Sequence, residues 1–279
     1  MQPLSVEVAA WRVTGGIEVM TWPAFDALGV DVVMTTRQGG VSAGVYESLN
    51  LSLHVGDDDT LVIENRRRAA RAIGASLDDL VFCNQTHGRG VAVVTASDRG
   101  RGTTTLGTAL DAVDALVTAD VGPVLAMMVA DCVPIALYSP LAHVAGAVHS
   151  GWRGTLLRVA EAAVQAMVGL GAKADEIVAA IGPAIHPDRY QVGAEVMEEA
   201  RECFGGQTDD LLRPDPDGPA GTYLFDLWRA NQRVLVEAGV RPERVLLAGV
   251  PSGGVSFFSD RAARPCGRNS ILVRLNPLS

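Results

Sequence analysis

The chain has few of the residues that would make it a stapled, metal-caged or membrane-bound protein. Among its 279 residues there are four cysteines, Cys83, Cys132, Cys203 and Cys266, and they lie far apart. A chain of this length can bury a large core without covalent staples, so scattered cysteines read as reduced thiols rather than as a disulfide framework. No C-x2-C pair occurs, which removes the usual closed four-ligand zinc sites. Histidine is scarce as well, with five in all, too few for copper centres that need many imidazoles. Net charge is −9 and the arginines are dispersed rather than gathered into a stripe, so a nucleic-acid backbone is not an expected partner, while a small anion can still be met by single arginines. No apolar window approaches the length of a membrane span, and Met1 to Val13 lacks a basic stretch followed by an apolar one. The expected location is therefore the cytoplasm, with no membrane partner. Internal repeats, low-complexity tracts and linkers are absent too.

What the chain does hold is a series of short apolar runs. Asp31 to Thr36 reads as a strand, followed by the glycine-rich turn Arg37-Gln38-Gly39-Gly40-Val41-Ser42. Leu61 to Ile73 places Val62, Arg66, Ala69, Ala70 and Ile73 at helical spacing behind the acidic cluster Asp57-Asp58-Asp59, where a helix dipole favours negative charge. Leu80 to Cys83 and Val91 to Thr95 read as short strands, and the polar segment Ser97 to Gly107 as a mobile loop. Val124 to Val129 and Ile135 to Tyr138 are continuous apolar runs, the pattern of buried strands, broken at Asp131-Cys132. Val144 to Val148 ends at His149, and Thr155 to Leu170 carries Leu156, Ala160, Ala163, Val164 and Met167 on one helical face. This places Arg153 just before a helix N-terminus, where free amides favour phosphate. Strands follow at Ile177 to Ile181 and Val245 to Val250, and helices at Gly193 to Phe204 and Phe225 to Ala238. The alternation predicts one domain, residues 1–279, of α/β or mixed α+β class, with a mixed sheet core and outer helices.

Three stretches carry the chemistry: Asn84-Gln85-Thr86-His87-Gly88, Ala130-Asp131-Cys132-Val133-Pro134 and His149-Ser150-Gly151-Trp152-Arg153-Gly154. They set one cysteine and two histidines at strand ends. A thiolate with two imidazoles leaves the fourth position of a tetrahedral zinc open, as in catalytic sites, and such donors select zinc, with copper as a competitor. The ordinary reading of a lone loop histidine is a solvated side chain, and that of a lone cysteine a small buried hydrophobe. Cys83 belongs to no motif, and His54, His143 and His186 read as structural or surface residues. Trp152 either packs under its turn or stacks on a base, and Arg37 and Asn50 either contact a ligand or fix a loop.

These stretches, together with Thr36 to Ser42, Ser48-Leu49-Asn50-Leu51, Glu64-Asn65-Arg66 and Ile181-Gly182-Pro183, resemble the YfiH/YlmD-like family. That family is also called the laccase-domain or multicopper polyphenol oxidase family and, more recently, a purine nucleoside phosphorylase family. The resemblance runs from about Thr35 to the C-terminus. It implies zinc on His87, Cys132 and His149, and a four-layer α/β/β/α fold similar to certain cysteine hydrolases. It also implies phosphorolysis of adenosine, inosine and methylthioadenosine, with adenosine deamination as a further activity. The chain departs from the family pattern at Gln191, at Pro251-Ser252-Gly253-Gly254 and at Phe257-Phe258-Ser259-Asp260-Arg261, which bears on substrate preference more than on metal binding.

The residues assign roles within that frame. Zinc on His87, Cys132 and His149 would lower the pKa of a water toward about 7 for attack on C6 of adenine. Asp131 is the adjacent candidate acid or base, unless its strand position turns it to orienting a ligand or binding backbone. Phosphate needs a positive clamp, assigned to Arg153 and Arg37, with Gln85 and Asn50 as further substrate contacts. Three alternatives stand beside this: a cysteine hydrolase with Cys132 as nucleophile and His149 as base, a copper-dependent polyphenol oxidase, and a structural zinc module. The expected partners are purine nucleosides and phosphate.

Overall fold

The computed structural model describes residues 8–278, so part of the stretch Met1 to Val13 read above lies outside the described residues. Strands β1 (Ala10–Thr14), β2 (Ile17–Thr21) and β3 (Val30–Thr35) form an antiparallel meander, with the one-turn helix α1 (Pro23–Asp26) before the third. Helix α2 (Asp59–Ala72) follows, its first turn capped by the Asp58 carboxylate accepting from the Thr60 N–H at 2.7 Å. The acidic cluster is thus a helix cap.

The centre of the chain supplies β4 (Leu80–Val81), β5 (Val91–Val93), β6 (Ala115–Thr118), β7 (Val124–Val129), β8 (Val133–Ser139) and β9 (Val144–Ser150). Helices α3 (Trp152–Leu156) and α4 (Val159–Gly169) come next, followed by β10 (Val178–Ile181) and β11 (Gln191–Val192). Helix α5 (Ala194–Phe204), strands β12 (Leu212–Pro214) and β13 (Tyr223–Phe225), helix α6 (Leu227–Glu237), β14 (Val245–Leu247) and β15 (Asn269–Leu275) complete the order.

Two six-stranded sheets result, ordered β1-β2-β3-β15-β7-β4 and β14-β10-β8-β9-β6-β5, with a small third sheet β11-β13-β12. Side-chain alternation assigns every face. On β7, Val124, Ala126 and Met128 pack with Ala69 and Ala70 of α2, while Leu125, Met127 and Val129 face the second sheet. On β8, Ala136 and Tyr138 meet that inner layer, while Ile135 and Leu137 pack against Ala160, Ala163, Val164 and Met167 of α4 and Val234 of α6. The layers run α/β/β/α, as the resemblance implies. Strands buried on both faces read as continuous apolar runs, and each buried Leu, Ile or Val contributes roughly 1.5–3 kcal/mol.

Consecutive strands do not always share a sheet. The chain passes from the first sheet to the second twice, between β4 and β5 and between β7 and β8. The break at Asp131-Cys132 is the second of these crossings.

Three expectations need correction. The helix read over Thr155 to Leu170 is two helices, because Arg158 adopts a left-handed φ of 62° between them and is held by Glu161 and Glu237, both at 2.7 Å. Arg153 therefore lies inside the first turn of the five-residue α3 rather than ahead of a long helix. The loop Ser97 to Gly107 is tied down: the buried Arg66 guanidinium donates to the carbonyls of Gly102 and Thr103, and Thr103 is buried. Among the described residues no helix is long and apolar enough to cross a membrane.

Candidate active site

Both crossings end at the same place. The first carries His87, the second carries Cys132, and β9 brings His149 up beside them near its C-terminal end. One ligand-type atom from each of the three lies within 4.8 Å of the others. No other group of three His, Cys, Asp or Glu side chains among the described residues is so arranged.

The His87 loop is bent into its position by a buried carboxylate. His87 has φ 58°, a left-handed conformation that costs a non-glycine residue roughly 1–2 kcal/mol. Asp114, fully buried just before β6, offsets that cost. Its Oδ2 accepts from the Gly88 N–H at 2.7 Å and the Thr86 N–H at 3.2 Å, and its Oδ1 accepts from the His87 N–H at 3.0 Å. Oδ1 also meets His149 Nδ1 at 2.8 Å. That contact fixes the imidazole's orientation and tautomer and leaves Nε2 for the cysteine side, the carboxylate–histidine arrangement found behind metal ligands.

Cys132 follows Asp131, which is also left-handed at φ 85°. Strain of this kind persists where surrounding structure over-determines it, and functional sites are where it concentrates. Gly151 presses on the same spot. Its φ of −75° and ψ of −179° suit any residue, yet a Cβ there would lie 2.9 Å from Cys132 Sγ and 3.1 Å from His87 Cδ2. The backbone approaches as closely as glycine permits.

Burial by itself would push the Cys132 thiol up, but the imidazoles of His149 and His87 outweigh it and hold the thiol below its ordinary value. Burial would likewise lower His149, but Cys132 and Asp114 outweigh it and raise the imidazole. Asp114 is drawn down to about 2, burial being overcome by His149 and the loop amides. Thiolate, imidazolium and carboxylate thus alternate in sign along one line.

A cavity of about 440 Å³ opens on this trio, a size that suits a small ligand. Gln85, Asp131, Trp152, Tyr190 and the guanidinium groups of Arg153, Arg261, Arg264 and Arg268 line it with the trio. Six of the residues singled out from sequence are therefore brought together: His87, Cys132, His149, Gln85, Asp131 and Arg153. Gln85 is pinned by its amide, which donates to the Met128 carbonyl and accepts from the Met128 N–H, both at 2.8 Å. The Asp131 carboxylate receives the Ser252 hydroxyl and, at 2.6 Å, the Arg261 N–H.

Arg37 and Asn50 do not line the cavity. Arg37 Nε donates to the Glu47 carbonyl at 2.8 Å and its guanidinium lies over the Phe258 ring at 4.6 Å. Asn50 is buried, bonding Asp57 at 2.9 Å and accepting from the Arg268 N–H at 2.9 Å. Both fix loops. Cys83 is buried against Met127, its thiol pushed up to about 12 by burial. His143 bridges Tyr138 at 3.0 Å and the Asn276 carbonyl at 2.9 Å, whereas His54, read as structural or surface, faces the cavity.

Sequence reasoning missed Asp114, Tyr190 and Arg261. Asp114 left a local signal, an acid set directly against the apolar run Ala115-Leu116-Val117, since such a charge is buried only with partners. Tyr190 left none, and Arg261 only its place in the atypical segment Phe257 to Arg261, because both reach the cavity only through the tertiary fold.

Comparison with known proteins agrees with the geometry. The chain is 41% identical over 238 residues to purine nucleoside phosphorylase YlmD of Geobacillus stearothermophilus, covering 83% of this chain and 84% of that one. It is 39% identical over 244 residues to adenosine deaminase RL5 of an unknown prokaryotic organism, covering 87% and 91%. The crystal structure of YlmD from Geobacillus stearothermophilus superimposes with a TM-score of 0.90 at 34% identity, over 97% of this chain and 100% of that one. The model of the multi-copper polyphenol oxidoreductase laccase family matches residues 31–276, and the chain belongs to that family.

Proposed function

We propose that the protein is a zinc-dependent purine nucleoside phosphorylase acting on adenosine, inosine and S-methyl-5′-thioadenosine, with adenosine deamination at the same site. The observation that carries this reading is the pairing, within one cavity, of a three-donor Cys/His/His set with arginine-rich and aromatic walls. Phosphorolysis must gather an anion, a ribose carbon and a leaving purine, and guanidinium groups and ring faces are what bind the first and the last. Relatives named for one activity or for the other support the same conclusion.

The donor set fits zinc: a soft thiolate and two imidazoles, their ligand atoms gathered within 4.8 Å of one another. His87, Cys132 and His149 would hold the zinc, which would supply Lewis acidity toward water or a leaving purine. Asp114 holds His149 in the ligating tautomer. Arg153 offers its guanidinium to phosphate, and Asp131, its carboxylate occupied by Ser252 and Arg261, serves position rather than proton transfer. In the reaction the bond from ribose C1′ to the purine breaks, a bond from C1′ to a phosphate oxygen forms, and the purine leaves with a proton.

A second reading has its own observation. Cys132, His149 and Asp114 form a nucleophile–base–orienter line, the geometry of a cysteine hydrolase. Metal content separates the two, because an ion on the sulfur occupies the nucleophile. A copper oxidase would need phenol oxidation that depends on added copper, and five histidines are few for its centres.

The test is metal analysis of untreated protein followed by product analysis of adenosine with and without phosphate. Stoichiometric zinc, with adenine and ribose 1-phosphate formed only when phosphate is present, is the expected result. Inosine alone would reduce the enzyme to a deaminase, and no conversion of any nucleoside by zinc-loaded protein would overturn the proposal.

A further inference from the structure

Four guanidinium groups face the cavity, but they are not equivalent. Arg264 and Arg268 share the Asp260 carboxylate, Arg268 at 3.1 Å, which offsets half of their combined charge. Arg153 and Arg261 have no carboxylate partner among the described residues. Each lies over an aromatic ring instead, Arg153 over Trp152 at 4.4 Å and Arg261 over Tyr190 at 5.3 Å. Stacking fixes the plane of a guanidinium and leaves N–H edges to donate; Arg261 spends part of its edge on the Gln191 carbonyl at 3.2 Å.

Tyr190 lies under the Arg261 guanidinium and within electrostatic reach of Arg153. Its ring stacks on Phe225 with centroids 6.3 Å apart, while its hydroxyl makes no hydrogen bond to any described residue. It lies in electrostatic reach of Cys132, Arg261, Asp131 and Arg153, and burial raises its pKa, which keeps the phenol a donor at neutral pH. Two uncompensated cations and one neutral donor match a phosphate dianion.

We infer that a phosphoryl dianion is clamped between Arg153 and Arg261 with the Tyr190 hydroxyl as third donor, and that Asp131 sets the distance of this clamp from Cys132. The inference rests on the proposed phosphorolysis and adds where the anion lies. Asp131 precedes Cys132 and accepts from the Arg261 N–H at 2.6 Å and from the Ser252 hydroxyl. The segment bearing Arg261 is thereby fastened to the residue beside the thiolate. Asp131 acts through Arg261 and is a positioning residue.

Calorimetric titration of the zinc-loaded protein with inorganic phosphate, and separately with adenosine 5′-monophosphate, tests the clamp. Arg153→Gln and Arg261→Gln are expected to weaken phosphate binding tenfold or more and Tyr190→Phe about threefold, with zinc content unchanged and partial recovery in Arg261→Lys. Asp131→Asn is expected to raise KM for phosphate without raising KM for adenosine, whereas general damage would raise both. If the wild type binds the nucleotide but not free phosphate, and the same variants weaken it, the clamp stands, its ligand is the 5′-phosphoryl group, and phosphorolysis falls. If the wild type phosphorolyses adenosine while all three variants bind phosphate as it does, phosphorolysis stands and the clamp is overturned. Binding of neither ligand by the wild type also overturns it.

Discussion

Asp114 holds His149 twice: its carboxylate meets the imidazole Nδ1 at 2.8 Å, and its own carbonyl accepts the His149 N–H at 2.8 Å. The same carboxylate gathers the amides of Thr86, His87 and Gly88. One side chain thus sets the position of two of the three donors. In Asp114→Asn the backbone contact survives while the charge goes, and an amide N–H is turned on groups that are themselves donors. Metal affinity is expected to fall about 10–100-fold, read by competition with a chromophoric chelator. Unchanged affinity would show that Asp114 serves the loop alone.

Gly151→Ala separates the site from the fold. The backbone there accepts a side chain, but the added methyl would press on Cys132 Sγ and His87. The variant is expected to keep its circular dichroism spectrum and to lose stoichiometric metal. Full metal content would mean that the donors have room to retreat.

The metal-free site predicts a pH dependence. With Cys132 held below and His149 above their ordinary values, the pair keeps one proton on the imidazole at neutral pH. An arriving ion must displace it. Affinity is therefore expected to rise by close to tenfold per pH unit between about pH 6.5 and 8, and to flatten once the raised His149 value is passed. Calorimetry in buffers of different ionisation enthalpy reads the released proton directly, and a flat profile with no proton released would contradict the thiolate–imidazolium pair.

Arg66 predicts a loss remote from the cavity. It is fully buried, lies over Phe82 at 3.9 Å, and donates to the carbonyls of Leu51, Gly102 and Thr103. Arg66→Met keeps bulk but strands three buried acceptors, at a cost on the order of 3 kcal/mol. A fall in Tm of several degrees is the expected outcome; a shift under one degree would mean that water replaces the guanidinium.

The strand Val124–Val129 and the three motifs whose His87, Cys132 and His149 cluster were legible before any fold was known, because a strand buried on both faces and a short motif are both local. Sheet membership was not. β7 and β8 are near neighbours in sequence and alike in pattern, yet lie in different sheets, and two-sided burial gives both the same composition. The division of the helix at Arg158 had no glycine or proline to announce it. Arg37 and Asn50, assigned from sequence to the substrate, lie outside the cavity lining and hold loops instead. That Tyr190 and Arg261 line the cavity required tertiary structure, since no pattern along the chain tells which exposed arginine will reach it.

The two passages from the first sheet to the second make the site a rivet. An ion held by His87, Cys132 and His149 would join both crossing segments to β9, and so bear on how the two halves of the sandwich are seated rather than on one surface loop. Chelation then acts on the whole cooperative unit. At free metal one hundred times Kd, the ion adds about 2.7 kcal/mol to global stability, and its removal would first be felt where the sheets exchange the chain.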